Sequence, residues 1–136
     1  MEISHPPEEG DEYTVERTFD HEDVREFGDI SGDRQPIHTE PDEAGRLTVQ
    51  GLLTATLPTK IGGDLNYIAR GMEFEFVEPV YTGERIRCTV RLESVTERDG
   101  YYDVGSAAVC ENEDGEDVMR AEIDGLIPKD AIPADE

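Results

Sequence analysis

Apolar and polar residues alternate along much of this chain, and the places where the alternation breaks divide it into elements. Tyr13, Val15, Arg17 and Phe19 stand two apart between polar neighbours, which predicts a first strand. Asp20 can cap the segment that follows, with Asp23 at the third helical position, so a short helix is expected near residues 21–28. A loop punctuated by Gly32 and Pro36 runs on to His38, and Pro41 suits the first turn of another short helix near 41–46. From Gln50 or Gly51 the spacing becomes helical. Leu53, Leu57 and Ile61 stand at i, i+4 and i+8 and predict a central helix with one buried stripe. Gly62-Gly63 is the expected stop. Pro58 lacks a backbone donor and should kink this helix or end it early.

The remainder reads as strands. The alternating faces are Met72/Phe74/Phe76, then Ile86/Cys88/Val90/Leu92, then residues 101–110, then Met119/Ala121/Ile123/Gly125/Ile127. Asp99-Gly100 and Glu113-Asp114-Gly115 mark turns between them. One early strand, then helices, then a run of antiparallel strands is an α+β order, with the sheet curled round one helix. The expected organisation is a flexible arm over 1–11, one domain over 12–128 and an acidic tail over 129–136.

Charge changes the picture more than size does. The chain has 136 residues and a formal net charge of −22, from 34 acidic and 12 basic residues, and only Lys60 and Lys129 are lysines. So many hydrated carboxylates with so little lysine point to a halophilic source, where the repulsion is screened to within about 3 Å at 1 M salt. The same charge argues against nucleic-acid and anionic-membrane partners, since no basic face is available to meet phosphates. No apolar run is long enough for a membrane-spanning helix, and the acidic, proline-bearing start resembles neither a signal nor a transit peptide, so a cytoplasmic location is expected. Cys88 and Cys110 lack metal-type spacing, and Cys88 belongs to an alternating buried face. His21, Glu22, Asp23 and His38 match no standard metal pattern, so no metal site is expected.

The chemistry concentrates in Phe27-Gly-Asp-Ile-Ser-Gly-Asp-Arg-Gln-Pro-Ile-His38. It places an acid, Asp33, and an imidazole, His38, five residues apart where the chain bends. On a helix, at about 100° per residue, the two would face different ways; on a bent loop both can address one bound water. The run Phe27…Ile30-Ser31-Gly32-Asp33-x-x-Pro36-Ile37-His38, with Ala44 beyond it, resembles the signature of the MaoC-like dehydratases, the (R)-specific enoyl-CoA hydratases of hot-dog fold. Val49-Gln50-Gly51-Leu52-Leu53-Thr54 resembles the start of the family's central helix. The resemblance spans about residues 12–127.

That resemblance implies a single hot-dog domain, an antiparallel sheet wrapped around a central helix. It implies reversible addition of water to a trans-2-enoyl thioester, giving the (R)-3-hydroxyacyl thioester. Asp33 would act as base, and His38 would orient the water and pass a proton to the substrate. Gly51 and Leu52, at the helix N-terminus, would hold the thioester carbonyl, while Ser31, Gly32, Gln35 and Pro36 shape the loop. No cofactor is implied beyond coenzyme A within the substrate; the carrier is CoA or acyl carrier protein, and the partner a second copy in a homodimer. Two positions depart from the family pattern: Gln35 replaces the usual Asn, and Gln50 a frequent His. Arg46, Arg70, Arg85, Arg87 and Arg91 are the candidate counter-charges for the carrier. A hot-dog thioesterase is the competing enzyme, and a non-catalytic acyl-thioester-binding module the competing reading from another class. Residues 51–62 contain none of the acidic groups that such thioesterases often carry on this helix.

Overall fold

A computed structural model describes residues 5–132. Strand β1 (Glu12–Thr18) leads into α1 (His21–Ser31) and the one-turn helix α2 (Pro36–Thr39). The central helix comes in two pieces, α3 (Gly51–Thr54) and α4 (Thr56–Asp64). Strands β2 (Ile68–Phe76), β3 (Arg85–Glu97), β4 (Tyr101–Glu111) and β5 (Asp117–Pro128) complete the chain, with a 3₁₀ turn at Lys129–Ala131. All five strands form one antiparallel sheet in the order β1-β3-β4-β5-β2. The sheet wraps the central helix, as the hot-dog expectation requires.

The buried faces follow the alternation. Ile86, Cys88, Val90 and Leu92 of β3, Val104, Ala108 and Cys110 of β4, and Met119, Ala121 and Ile127 of β5 pack with Leu53, Leu57, Ile61 and Leu65 in one core. Cys88 and Cys110 lie directly opposite each other across β3 and β4, both free and buried. Contact with the Cys88 thiol, together with burial, pushes the Cys110 thiol far above its ordinary range, so it remains protonated.

Several local expectations are corrected. Asp20 and Asp23 form the capping box, but α1 runs on through Gly28 to Ser31 and ends at Gly32, whose φ of 78° only glycine adopts freely. No helix forms over 41–46. The Asp42 carboxylate accepts the amides of Ala44 and Arg46 at 2.9 Å each, and this side-chain capture curls the segment into a tight turn. The helical turn lies earlier, with Pro36 at its first position. The central helix breaks at Ala55, ahead of Pro58, which falls in the first turn of α4 where a missing donor costs little. Gly62 and Gly63 do not stop α4. The stop is Asn66 at φ 56°, where the Tyr67 amide reaches back to the Gly62 carbonyl and the Asn66 amide to the Gly63 carbonyl. On β2, Met72 and Phe76 are exposed and of the three only Phe74 joins the core, because β2 is the edge strand and among the described residues pairs with β5 alone.

At the flanks, the Gly10 amide bonds the Leu92 carbonyl and the Leu92 amide the Asp11 carbonyl, so residues 10 and 11 are fastened to β3 rather than forming part of a free arm. Lys129 is tied through its amide to Gly100 and through Nζ to Glu97. The rest of the expected arm and tail, residues 1–4 and 133–136, lies outside the described residues. Among the described residues, no helix is long and apolar enough to cross a membrane.

Tyr67 locks the turn from α4 into β2. Its hydroxyl lies 2.8 Å from the Val104 carbonyl and 2.9 Å from the Ile123 carbonyl, and accepts a bond from Ser106 at 3.2 Å. Burial pushes its phenol up, which keeps the O–H available as a donor.

Candidate active site

The site lies where the α1–α2 loop meets the N-terminus of α3. Gly32 turns the chain out of α1, and the Asp33 amide then donates to Ser31 Oγ at 3.0 Å. Gln35 Nε2 donates to Asp33 Oδ1 at 2.9 Å, so the longer amide at this position still reaches the carboxylate. Pro36 starts α2, whose single turn carries His38 back beneath the loop, with the His38 amide on the Gln35 carbonyl. His38 is therefore in a helical turn after all, and the bend that joins it to Asp33 lies between residues 32 and 35.

The two side chains meet. His38 Nε2 stands 3.5 Å from Asp33 Oδ2; the imidazole is buried and the carboxylate 36% exposed. At that distance they do not close a good direct hydrogen bond, and both can address one water from the open side. The other ring nitrogen is committed. His38 Nδ1 lies 2.6 Å from the Thr48 carbonyl, and a carbonyl only accepts, so Nδ1 carries the hydrogen and Nε2 faces the site. Thr48 is itself fixed, since its amide donates to the Ile37 carbonyl.

A cleft of about 660 Å³ opens in front of this pair. Its lining includes Asp33, His38, Gly51, Leu52, Thr54 and Phe76. The amides of Gly51 and Leu52 are the first two of α3 and have no carbonyl one turn back to bond. The Leu52 side chain is 58% exposed, so what this residue offers the cleft is an apolar rim and its amide. At Gly51 a Cβ would stand 2.7 Å from Phe76 Cε1, which explains the glycine as a point where the β2 ring closes on the helix start.

Two buried polar atoms at this helix have no partner among the described residues, Gln50 Oε1 and Thr54 Oγ1. Gln50 is only 2% exposed, and its Nε2 donates to the Val24 carbonyl of α1 at 2.9 Å. The position just before Gly51 thus ties the helix that leads to Asp33 to the helix that presents the free amides. Composition and periodicity do not register this tie; the one sign in the sequence was a glutamine where the family pattern often has His.

Arg46, Arg70, Arg85, Arg87 and Arg91 do not line the cleft. Arg46 pairs with Asp42 and stacks on Tyr81, Arg70 pairs with Asp103 and Asp124, and Arg91 is 3.9 Å from Glu12. Arg25 and Arg34, from α1 and the loop, are the cations that border the acid–imidazole pair. No group of three or more His, Cys, Asp or Glu that could hold a metal ion occurs among the described residues. His21 Nε2 instead lies 3.0 Å from the Gly45 carbonyl.

A sheet wrapped on a broken central helix, with an Asp–His loop at the helix start, defines a hot-dog domain of the dehydratase and hydratase class. The chain belongs to the MaoC like domain family, whose model matches residues 2–112. It is 28% identical over 134 residues to a UPF0336 protein of Streptomyces avermitilis, covering 87% of this chain and 85% of that one. It is 26% identical over 110 residues to the mitochondrial 3-hydroxyacyl-[acyl-carrier-protein] dehydratase of Arabidopsis thaliana, covering 74% of this chain and 65% of that protein's length. Among solved structures, an (R)-hydratase from A. caviae involved in PHA biosynthesis superposes with a TM-score of 0.80 at 22% identity, over 92% of this chain and 100% of that one.

Proposed function

We infer that this protein hydrates trans-2-enoyl thioesters to (R)-3-hydroxyacyl thioesters, and runs the same reaction in reverse as a dehydratase. The observation that carries the reading is the joint geometry: Asp33 and His38 Nε2 face one cleft that the unbonded amides of Gly51 and Leu52 also border. The thioester carbonyl accepts from those amides, at the positive end of a short helix, so negative charge can build on its oxygen. One water lies against Asp33 and His38. Its oxygen bonds to the β-carbon and keeps one hydrogen; the proton that the carboxylate draws off passes by way of His38 Nε2, which carries no hydrogen of its own, to the α-carbon, so both groups end as they began. Nothing is oxidised or reduced, and no resident cofactor takes part. The carrier, CoA or acyl carrier protein, arrives as part of the substrate. Chiral analysis of the product tests this directly. The (R)-3-hydroxyacyl thioester is expected, whereas the (S) product, or a free carboxylate with released thiol, contradicts it.

Gly51→Ala probes the carbonyl site. The added methyl meets the edge of the Phe76 ring, the far end of a side chain that can give way, so stability should change by less than about 1 kcal/mol. The displaced ring then enters the cleft, and kcat/KM should fall by about tenfold or more. Unchanged kinetics would remove Gly51 from the carbonyl site.

The same reading includes a homodimer. Strand β2 presents an unpaired edge, and Ile68, Met72 and Phe76 on it are 54%, 44% and 52% exposed. Apolar residues on a free edge are a hazard unless something covers them, and a second β2 does so with two-fold symmetry. Light scattering at molar salt should give twice the chain mass for the wild type and a shift toward the single-chain mass for Met72→Glu. A wild type that stays monomeric at every concentration contradicts the pairing.

A further inference from the structure

Two cavities meet at the acid–imidazole pair. One is the 660 Å³ cleft in front. The other, about 260 Å³, lies against α1 and is lined by Gly28, Asp29, Arg34 and Thr39 among others. Among the described residues, Asp33, His38 and Gln50 alone line both. We propose that water reaches the pair through this rear cavity while the acyl thioester fills the front, and that the Gln50 carboxamide fixes where that water stops. The proposal rests on the hydratase reading.

Hydration consumes one water per turnover, at a point where the bound acyl chain excludes solvent. The oxygen of that water ends on the β-carbon and one of its protons on the α-carbon, so each cycle needs a fresh molecule from a path that the substrate does not block. The rear cavity is suited to supply it. A water occupies about 30 Å³ in the liquid, so the space has room for several. Its walls are polar: Arg34 and Asp29 form an ion pair at 2.6 Å, and Thr39 stands beside them.

Gln50 is the shared residue that the chemistry above does not use. Nε2 is held by the Val24 carbonyl, so the carboxamide cannot turn over, and Oε1 is fixed as an acceptor. That oxygen has no partner among the described residues, and the residue is 2% exposed. A buried acceptor without a donor is costly; Gln50 lines both cavities, and the proposed water is its donor. Gln50 is thus a positioning residue: it holds a water at the rear of the pair, from which the reacting water is replaced after each turnover.

The test uses Gly28. A Cβ there would stand 3.4 Å from the Asp33 carbonyl oxygen, 3.5 Å from Arg34 Cγ and 3.7 Å from Gln50 Nε2, so the first carbon fits and the methyls of Gly28→Val take volume from the rear cavity. At saturating enoyl thioester, kcat should fall on the order of tenfold with KM unchanged. Gln50→Met, which keeps the side-chain length without its polar end, should show the same split. A wild-type kcat in a Gly28→Val protein that melts like wild type overturns the proposal. A crystal structure with a saturated acyl-CoA in the front cleft decides the route without any turnover. Ordered water bonded to Gln50 Oε1 is expected. A dry rear cavity, or a carrier phosphate seated there against Arg25 and Arg34, overturns the proposal. If the wild type is inert to every enoyl thioester, the hydratase reading fails, while the crystal result still decides where water binds.

Discussion

Asp33→Asn should lower kcat for enoyl-thioester hydration by about 10²–10⁴-fold while leaving the fold intact. Asn keeps the shape of the side chain and an oxygen to accept the Gln35 amide, which lies 2.9 Å from Asp33 Oδ1. It removes the carboxylate that faces His38 Nε2 across 3.5 Å. The side chain is more than a third exposed, so no buried partner loses its bond and the melting temperature should hold. Because the acid and the imidazole serve the same water, Asp33→Asn combined with His38→Gln should cost little more than the worse single change. Multiplicative losses would mean that the two groups act on separate steps.

Gly125→Ala should be the most damaging single methyl in the sheet. Strand β2 crosses β5 here with its main chain almost touching, and the added Cβ lands on the Ile68 carbonyl oxygen. It also stands 2.6 Å from Tyr67 Cε1. Neither obstacle can retreat cheaply. The Ile68 carbonyl is backbone, and the Tyr67 ring is pinned by its hydroxyl to β4 and β5. A loss of about 3 kcal/mol or more in denaturant unfolding is expected. A loss below about 1 kcal/mol would show that β2 and the α4–β2 turn give way together.

Much of this architecture was legible as pattern, because period-two alternation reports directly which face of a strand is buried. Ile86 to Leu92 and Met119 to Ile127 sit in the core for that reason. Asp20 with Asp23 was legible because a capping box is a local contract between side chains and amides. Failures came where two local signals competed or where topology decided. Pro41 offered a helix start, but the Asp42 carboxylate took the amides that such a helix needed. Gly62-Gly63 looked like a stop, yet the left-handed position fell three residues later on Asn66, where the chain had to turn toward β2. Met72 and Phe76 obey strand alternation, but alternation does not say that β2 is an edge.

The site divides the same way. Asp33 and His38 drew notice by residue type and spacing, but they and Gly51 were assigned to one site by the resemblance to the MaoC-like family, and all three line one cleft. Gln35, which stood out as a departure from the family pattern, holds the Asp33 carboxylate despite its extra methylene. Gln50, the other departure, is where sequence reading stopped short. Its meaning depends on the Val24 carbonyl 26 positions earlier, a contact that only the packing of α1 against α3 creates. Arg25 and Arg34 were passed over for the same reason, since being near the pair is a property of the folded loop.

One reaction tests the central claim most directly. Crotonyl-CoA is incubated with the wild-type protein in molar salt, with the conjugated enoyl absorbance and free thiol followed together. The absorbance should fall to an equilibrium value, without thiol release, at a rate proportional to the protein added. Thiol release with the enoyl group intact, or no change in either signal, would contradict the account.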